Sequence, residues 1–386
     1  MKNETNKIER RFMFGRRVIY SSVKEITREN VVEELNKALN AHITNSSEID
    51  YLYRYYKGDQ PIINRQKSVR PEINNIVVEN HALEIVDFKK SQGFSEPLQY
   101  VRRGEDESLS DKINQLNEYM FIADKAAVDK ELAEWFFIGG TAYRMVLPSR
   151  NPEEAPFEIE ALDPRYTFVV YNNGFKKPPL MGVKYIATEE NEILYSVYTP
   201  TTYFEIRKNQ IIKEEPHALG YIPIIEYPAN HARLGAYETV LPLLDALNTI
   251  ASNRLDGIEQ FVQAFMKFVN CDIDEDTFKK FKELGAIKIK GEPGNPADVD
   301  IVSEELNQTE VQVAKEDIYQ MILIICGMPD RKGATRTTGD TGQAVKLRDG
   351  WSDAEARARD IEEMFKSSEK RFLRVVLKIC KELAGL

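Results

Sequence analysis

The hydrophobic period of this chain changes twice, and that limits its possible folds more than any other feature. Up to Gly139-Gly140 the apolar residues recur every three or four positions. From Thr141 to about residue 228 they alternate with polar ones, and from about residue 236 the helical spacing returns. The pattern predicts an α+β fold with its strands gathered in the middle of the chain. A length of 386 residues leaves room for two to three domains of about 150 residues each.

In the first region Thr27 can cap a helix that carries Val31, Leu35 and Leu39 on one stripe. A second helix is expected from Ser46 or Ser47 through Ile49, Leu52, Tyr53 and Tyr56, ending at Lys57-Gly58. Pro61 to Pro71 reads as an extended basic connector with Arg65, Lys67 and Arg70. Helical spacing resumes over Asn75 to Lys90, and Leu109 to Ile138 fits one or two helices. The strand region holds Tyr143/Met145/Leu147, Phe157/Ile159, Phe168 to Tyr171, Val183/Tyr185, Ile193/Tyr195/Val197 and Tyr203/Glu205/Arg207. Asn172-Asn173-Gly174 signals a hairpin. Together these segments predict an antiparallel β-meander over 142–228 that closes with Tyr221 to Tyr227.

The second helical region opens with an apolar stripe over 236–270, from Leu244 and Leu247 to Phe265 and Phe268. As one helix it would be a rod of roughly 50 Å. Asp245, Asn248, Asn253, Asp256 and Glu259 keep it from reading as a membrane span. Residues 271–305 break the rod and carry a net charge of −5, ten acids against five bases. They read as a small α/β insertion with little core of its own. Thr309-x-x-Gln312 is a capping box that opens another helix, which ends at Gly327 and Pro329. A glycine-rich polar loop follows, then a last helix from about Gln343 to Leu383 with a bend at Gly350. The two apolar helices can be core helices of one monomer or a stalk that packs against other copies.

Charge and motifs exclude several functions. The sum 52 − 62 = −10 is the opposite of a basic nucleic-acid grip. Cys271, Cys326 and Cys380 form no C-x-x-C, which argues for a reducing compartment and against zinc. The N-terminus shows no apolar signal region, and no uncharged run approaches the roughly 20 residues of a membrane span. There is no P-loop, G-x-G-x-x-G, H-E-x-x-H or G-x-S-x-G. His42, His81, His217 and His231 are isolated and read as surface or packing residues. Glu158, Glu160 and Asp163, with Lys184 or Lys177, could serve a metal-dependent nuclease, but carboxylate pairs at such spacing arise readily by chance, and solvated strand faces and turns explain them. From Arg331 to Arg348 the charge is +4, five bases against one acid, amid donors suited to phosphate. An ordinary exposed loop would look the same.

Several short motifs, taken in order, resemble the portal proteins of tailed bacteriophages. They are Tyr55-Tyr56-Lys57-Gly58, Asn74-Asn75-Ile76-Val77 with Asn80, Ile85-Val86-Asp87, Phe137 to Tyr143, Asp163-Pro164-Arg165, Gly220 to Tyr227, and Leu243 to Asn248. The resemblance is to the large family typical of long-tailed phages of Gram-positive hosts. It implies a portal-like architecture: a mixed helical and antiparallel-β wing (1–235, helical over 27–138), a two-helix stem (236–270 and 306–327), a small α/β clip (271–305), a tunnel loop (328–343) and a long C-terminal helix (344–386). The family usually continues into a helical crown, so at Leu386 a crownless form or a truncated one is expected. By the same resemblance the chain would be a non-enzymatic subunit of a ring, normally a dodecamer, with no cofactor. Double-stranded DNA would pass through it at one capsid vertex of the virion. The large terminase subunit and later a head-completion adaptor would dock on the clip, and the major capsid and scaffolding proteins would surround it. Assembly would take place in the host bacterial cytoplasm. The tunnel-loop residues expected to touch DNA are Arg331, Lys332, Thr335, Arg336 and Lys346. Those expected to meet terminase or adaptor are Asp274, Glu275, Lys279, Lys280, Lys288 and Lys290. Another capsid or tail-connector ring protein is the neighbouring alternative.

Overall fold

The computed structural model describes residues 15–101, 104, 109–151, 154–190, 192–262, 265–269, 298–302, 308–330 and 350–383. The chain divides into two compact units. The first is Met1–Gln60 with Asn80–Leu244 and Gln320–Leu386, and the second is Pro61–Glu79 with Asp245–Tyr319. In chain order the elements are β1 (Ile19–Ser21), α1 (Val31–Tyr56), α2 (His81–Phe94), α3 (Ser110–Ile122), α4 (Lys125–Gly139), β2 (Thr141–Pro148), β3 (Phe157–Leu162), β4 (Thr167–Asn172), β5 (Pro179–Ala187), β6 (Ile193–Tyr198), β7 (Thr202–Arg207), β8 (Gln210–Pro216), β9 (Ile224–Pro228), α5 (Leu241–Val262), β10 (Phe265–Val269), β11 (Asp298–Val302), α6 (Gln308–Cys326) and α7 (Trp351–Leu383).

The run Phe168-Val169-Val170-Tyr171 is apolar at every position because β4 is buried on both faces. Phe168 and Val170 join Met181, Val183, Val197, Phe204 and Ile206 under Val31, Leu35 and Ala38 of α1. Val169 and Tyr171 face the other way, onto Tyr143, Met145, Leu162, Ile222 and Ile224. The strands therefore form two packed sheets and not the single meander expected. One has the order β1-β4-β5-β6-β7-β8, with β1 parallel to β4, and the other has the order β3-β2-β9. The second sheet forms because β9 returns to pair with β2, placing Met145 opposite Ile224. Gly182 of β5 lets the returning segment come close. A Cβ there would lie 2.8 Å from Ile222 Cγ2 and 2.9 Å from Ile224 Cβ.

Four helical expectations also change. Asn30, not Thr27, stands at the N-cap of α1, and its side chain accepts the Thr27 amide at 2.8 Å. The α1 helix runs unbroken, with no second start at Ser46 or Ser47. Its buried stripe continues through His42, Asn45, Ile49, Leu52 and Tyr56. Asn45 bridges the backbone of Arg17 in both directions, at 2.9 and 2.8 Å, so its amide does not compete with the helix. Residues 75–80 are extended rather than helical, and α2 begins only at His81. The long rod over 236–270 ends at Val262. Phe265 to Val269 instead pair antiparallel with Asp298 to Val302, as their aromatic and β-branched content favours.

A buried ionic cluster joins these layers within the first unit. Arg144 of β2 is fully buried. It donates to Glu369 of α7 at 2.8 Å and to the Tyr227 hydroxyl at 3.0 Å, and it pairs with Asp129 of α4. The Lys125 ammonium lies 2.5 Å from Asp129 and 2.9 Å from Glu369. Tyr100 and Tyr227 each donate a hydroxyl to Glu369, at 2.6 and 2.8 Å. Two cations and two carboxylates leave no net charge. Burial alone would raise the Glu369 carboxyl, but Arg144 and then Lys125 outweigh it and bring it down to about 2.

Removing one partner leaves an uncompensated charge in the core. Arg144→Met is expected to cost about 3–5 kcal/mol by urea denaturation, and a loss near zero would show that the cluster does not hold α7. Glu369 has a lowered folded value, so its stabilisation is present above its ordinary value of 4.5 and disappears as pH falls toward about 2. In the Glu369→Gln variant, stability should fall less between those two pH values, as read from melting temperature against pH.

Candidate functional site

The loop residues Arg331, Lys332, Thr335, Arg336 and Lys346 lie outside the described residues, as do Asp274, Glu275, Lys279, Lys280, Lys288 and Lys290. Parts of the helices that flank the insertion, α5 and α6, are described. So is an arm, residues 61–79, that belongs to the same unit as most of both helices.

The arm lies along α5 through a match of two repeats. Asn248, Ser252 and Asp256 recur every four residues, so they form one line on the helix, about 6 Å apart. Every second residue of an extended chain advances by about 6.6 Å. The backbone amides of Glu79, Val77 and Asn75 accordingly donate in turn to Asn248 Oδ1 (2.8 Å), Ser252 Oγ (3.0 Å) and Asp256 Oδ1 (2.7 Å). The Asn75 side chain adds 3.1 Å to Asp256 and 2.8 Å to Glu259. The other Asp256 oxygen receives Arg65 and Lys67, both at 2.9 Å. Burial would raise the Asp256 carboxyl, but the Asn75 amide and Lys67 outweigh it and hold it below its ordinary value. Lys315 of α6 pairs with Glu79, and Arg254 donates to Gln312 at 2.8 Å. With this polar line covered, Leu255 and Ile258 of α5 and Val313 of α6 remain exposed.

The sequence showed these α5 residues only as polar interruptions of an apolar stripe. Their four-residue spacing was the available signal. The basic connector was legible, but its partner was not, because Asp256 lies 181 positions from Asn75.

The other resemblance motifs take structural roles. Gly58 ends α1 with φ +95°, and the Asn80 side chain donates to the Tyr56 carbonyl at 2.8 Å. Gly140, at φ +73°, lies against the Arg233 carbonyl, where a Cβ would come within 2.2 Å. Asp163 grips Arg165 of the same motif through the backbone amide (2.9 Å) and the guanidinium (2.7 and 3.1 Å). Arg165 also lies over Tyr53, 4.6 Å from its ring centre.

Two carboxylates of the nuclease alternative and one of its lysines are engaged in the fold. Asp163 is committed to Arg165, and Glu158 accepts the Arg150 amide at 3.1 Å in a surface turn. Lys177 donates to the Tyr20 hydroxyl at 3.0 Å. Among the described residues no three His, Cys, Asp or Glu side chains stand close enough to share a metal ion. His42 is a packing residue. It is stacked 4.4 Å from Phe168 and bonded to the Arg165 carbonyl, and burial lowers its pKa to about 4. No helix among the described residues is long and apolar enough to cross a membrane.

The family model described as "Phage portal protein, SPP1 Gp6-like" matches residues 35–385. No curated protein matches the chain. One similar solved structure is described as "Neck of empty GTA particle computed with C6 symmetry". It shares 10% identity, with a TM-score of 0.45 over 75% of this chain and 79% of that one.

The arm contact predicts a local loss of order. Ser252→Ala removes one acceptor and should cost about 1–3 kcal/mol by leaving the Val77 amide without a partner. Hydrogen exchange at Val77 should speed up together with its neighbours Asn75 and Glu79, while β4 is unchanged. Unaltered exchange across 75–79 would refute the match of repeats.

Proposed function

The chain belongs to the SPP1 Gp6-like family of phage portal proteins, and on that premise we propose that copies of it close into a dodecameric ring through which double-stranded DNA is packaged and later ejected at one capsid vertex. The observation that carries this reading is the family match, which spans residues 35–385. A portal subunit is a structural component of the virion. In our reading it has no catalytic site of its own, and the packaging motor is a separate terminase.

The segments then take their parts. Residues 1–235 are the wing, 236–270 and 306–327 the stem, 271–305 the clip, 328–343 the tunnel loop and 344–386 the long wing helix. The clip receives terminase and later the head-completion adaptor. The major capsid and scaffolding proteins meet the wing, and assembly takes place in the host bacterial cytoplasm. The unit boundaries support the stem-and-clip assignment, because 245–319 separates from the rest except for the arm. The exposed Leu255, Ile258 and Val313 support a stem that packs against other copies. Twelve copies at −10 each would carry −120. A conduit of that charge neutralises few phosphates and lets DNA slide.

Native mass spectrometry with negative-stain imaging tests the ring. A closed particle of about twelve copies with an open centre is expected. A chain that stays monomeric at every concentration would overturn the reading.

A further inference from the structure

The solvent face of α7 carries its charges in two blocks. From Ser352 to Glu363 it has five acids and two bases, a net −3. From Lys366 to Leu383 it has six bases, Lys366, Lys370, Arg371, Arg374, Lys378 and Lys381, against Glu369 and Glu382. Glu369 is buried in the ionic cluster, so the surface of the second block carries 6 − 1 = +5 in a chain of net charge −10.

Helical spacing gathers these bases. At 100° per residue, Lys370, Arg374, Lys378 and Lys381 fall within one quadrant opposite the buried Phe365, Phe372, Val376 and Ile379. Lys366 is paired with Glu362 and Glu363, and Lys378 with Glu382, at 2.6–3.4 Å. No ion pair is formed by Lys370, Arg371, Arg374 or Lys381 among the described residues, and all four side chains are exposed. Attraction to the helix C-terminus extends about one turn and accounts for Lys381, but not for Lys370, Arg371 or Arg374, which lie about two and a half to three and a half turns from its end at Leu383. From Lys370 to Lys381 the line is about 16 Å long. Over that length duplex DNA presents about ten phosphates.

We propose that the C-terminal half of α7 is a contact strip for the phosphate backbone of double-stranded DNA, formed by Lys370, Arg371, Arg374 and Lys381. The ligand class rests on the conduit reading above, while the strip is made of other residues than the loop at 331–346. It offers cations for phosphate and no stacking platform for bases, since no exposed aromatic side chain accompanies these four side chains among the described residues. Against an acidic surround, a short basic strip gives weak contacts that salt readily dissolves.

The test uses the full chain and a fluorescent duplex of about 30 base pairs, titrated by anisotropy from 50 to 200 mM salt. Native mass spectrometry of the same samples records the assembly state. Each lost phosphate contact lowers the slope of log K against log salt by about 0.9. Lys370→Gln/Arg374→Gln/Lys381→Gln should therefore flatten the slope by about 2.7 and weaken binding at least tenfold at low salt. Arg374→Gln alone should flatten it by about 0.9. Asp353→Asn/Asp360→Asn, on the acidic half, should leave the slope no smaller. Rings that form normally and keep the wild-type slope in the triple variant would overturn the strip and leave the portal reading intact. Rings lost in the triple variant with the DNA slope unchanged would also overturn it, and would identify the strip as a contact between copies. A wild-type chain that forms no ring would refute the conduit reading, whatever its slope.

Discussion

The arrangement of the first unit depends on one buried charge cluster. Arg144, Lys125, Asp129 and Glu369 come from β2, α4 and α7, and removing any one of them would leave an uncompensated charge in the core. Glu369 anchors a helix of 33 residues at a single position. The apolar face of α7 could slide by a turn and still bury Phe365, Phe372 and Val376 against something apolar. The carboxylate cannot, because only one register places it between two cations and under the hydroxyls of Tyr100 and Tyr227. We take the cluster to contribute specificity more than net stability, as buried ion pairs often do. With Glu369 turned inward, the bases of the same half-helix face solvent.

The second unit uses a different device. A helix rises about 6 Å in four residues, and an extended chain advances nearly the same distance in two. That coincidence lets the three α5 side chains satisfy three arm amides without a sheet. The arm supplies backbone donors that would otherwise need water, and α5 buries polar groups that would otherwise cost free energy. The helix needs no second polar face for solubility on that side, so its remaining exposed surface can be apolar.

Charge is distributed unevenly over this chain. The chain carries −10 overall, while Lys370, Arg371, Arg374 and Lys381 of α7 stand exposed without an ion pair among the described residues. Such a balance would suit the conduit we propose, since strong uniform attraction would arrest a strand that must be released.

Much of this was legible in the sequence. The change of period at Thr141, the stop at Lys57-Gly58 and the break at Gly139-Gly140 each rest on local backbone preference, which a few neighbouring residues decide, whereas Thr309 lies inside a helix that already includes Gln308. The family also followed from short motifs in order, now matched over 35–385. What failed were inferences that needed a distant partner. Ser46 and Ser47 could not reveal that α1 continues, because the reason lies in Arg16 and Arg17 meeting Asn45 and Glu48. Residues 75–80 have helical spacing yet are extended, because α5, far along the chain, takes their amides. The meander became two sheets because Gly182 admits Ile222 and Ile224. The sequence alone determined the change of period, the helix stops at Gly58 and Gly139-Gly140 and the family, because local preferences and motif order are written in adjacent residues. Only the tertiary structure decided which polar groups became partners, because a buried donor or charge is satisfied by whatever the fold brings within about 3 Å, regardless of separation along the chain.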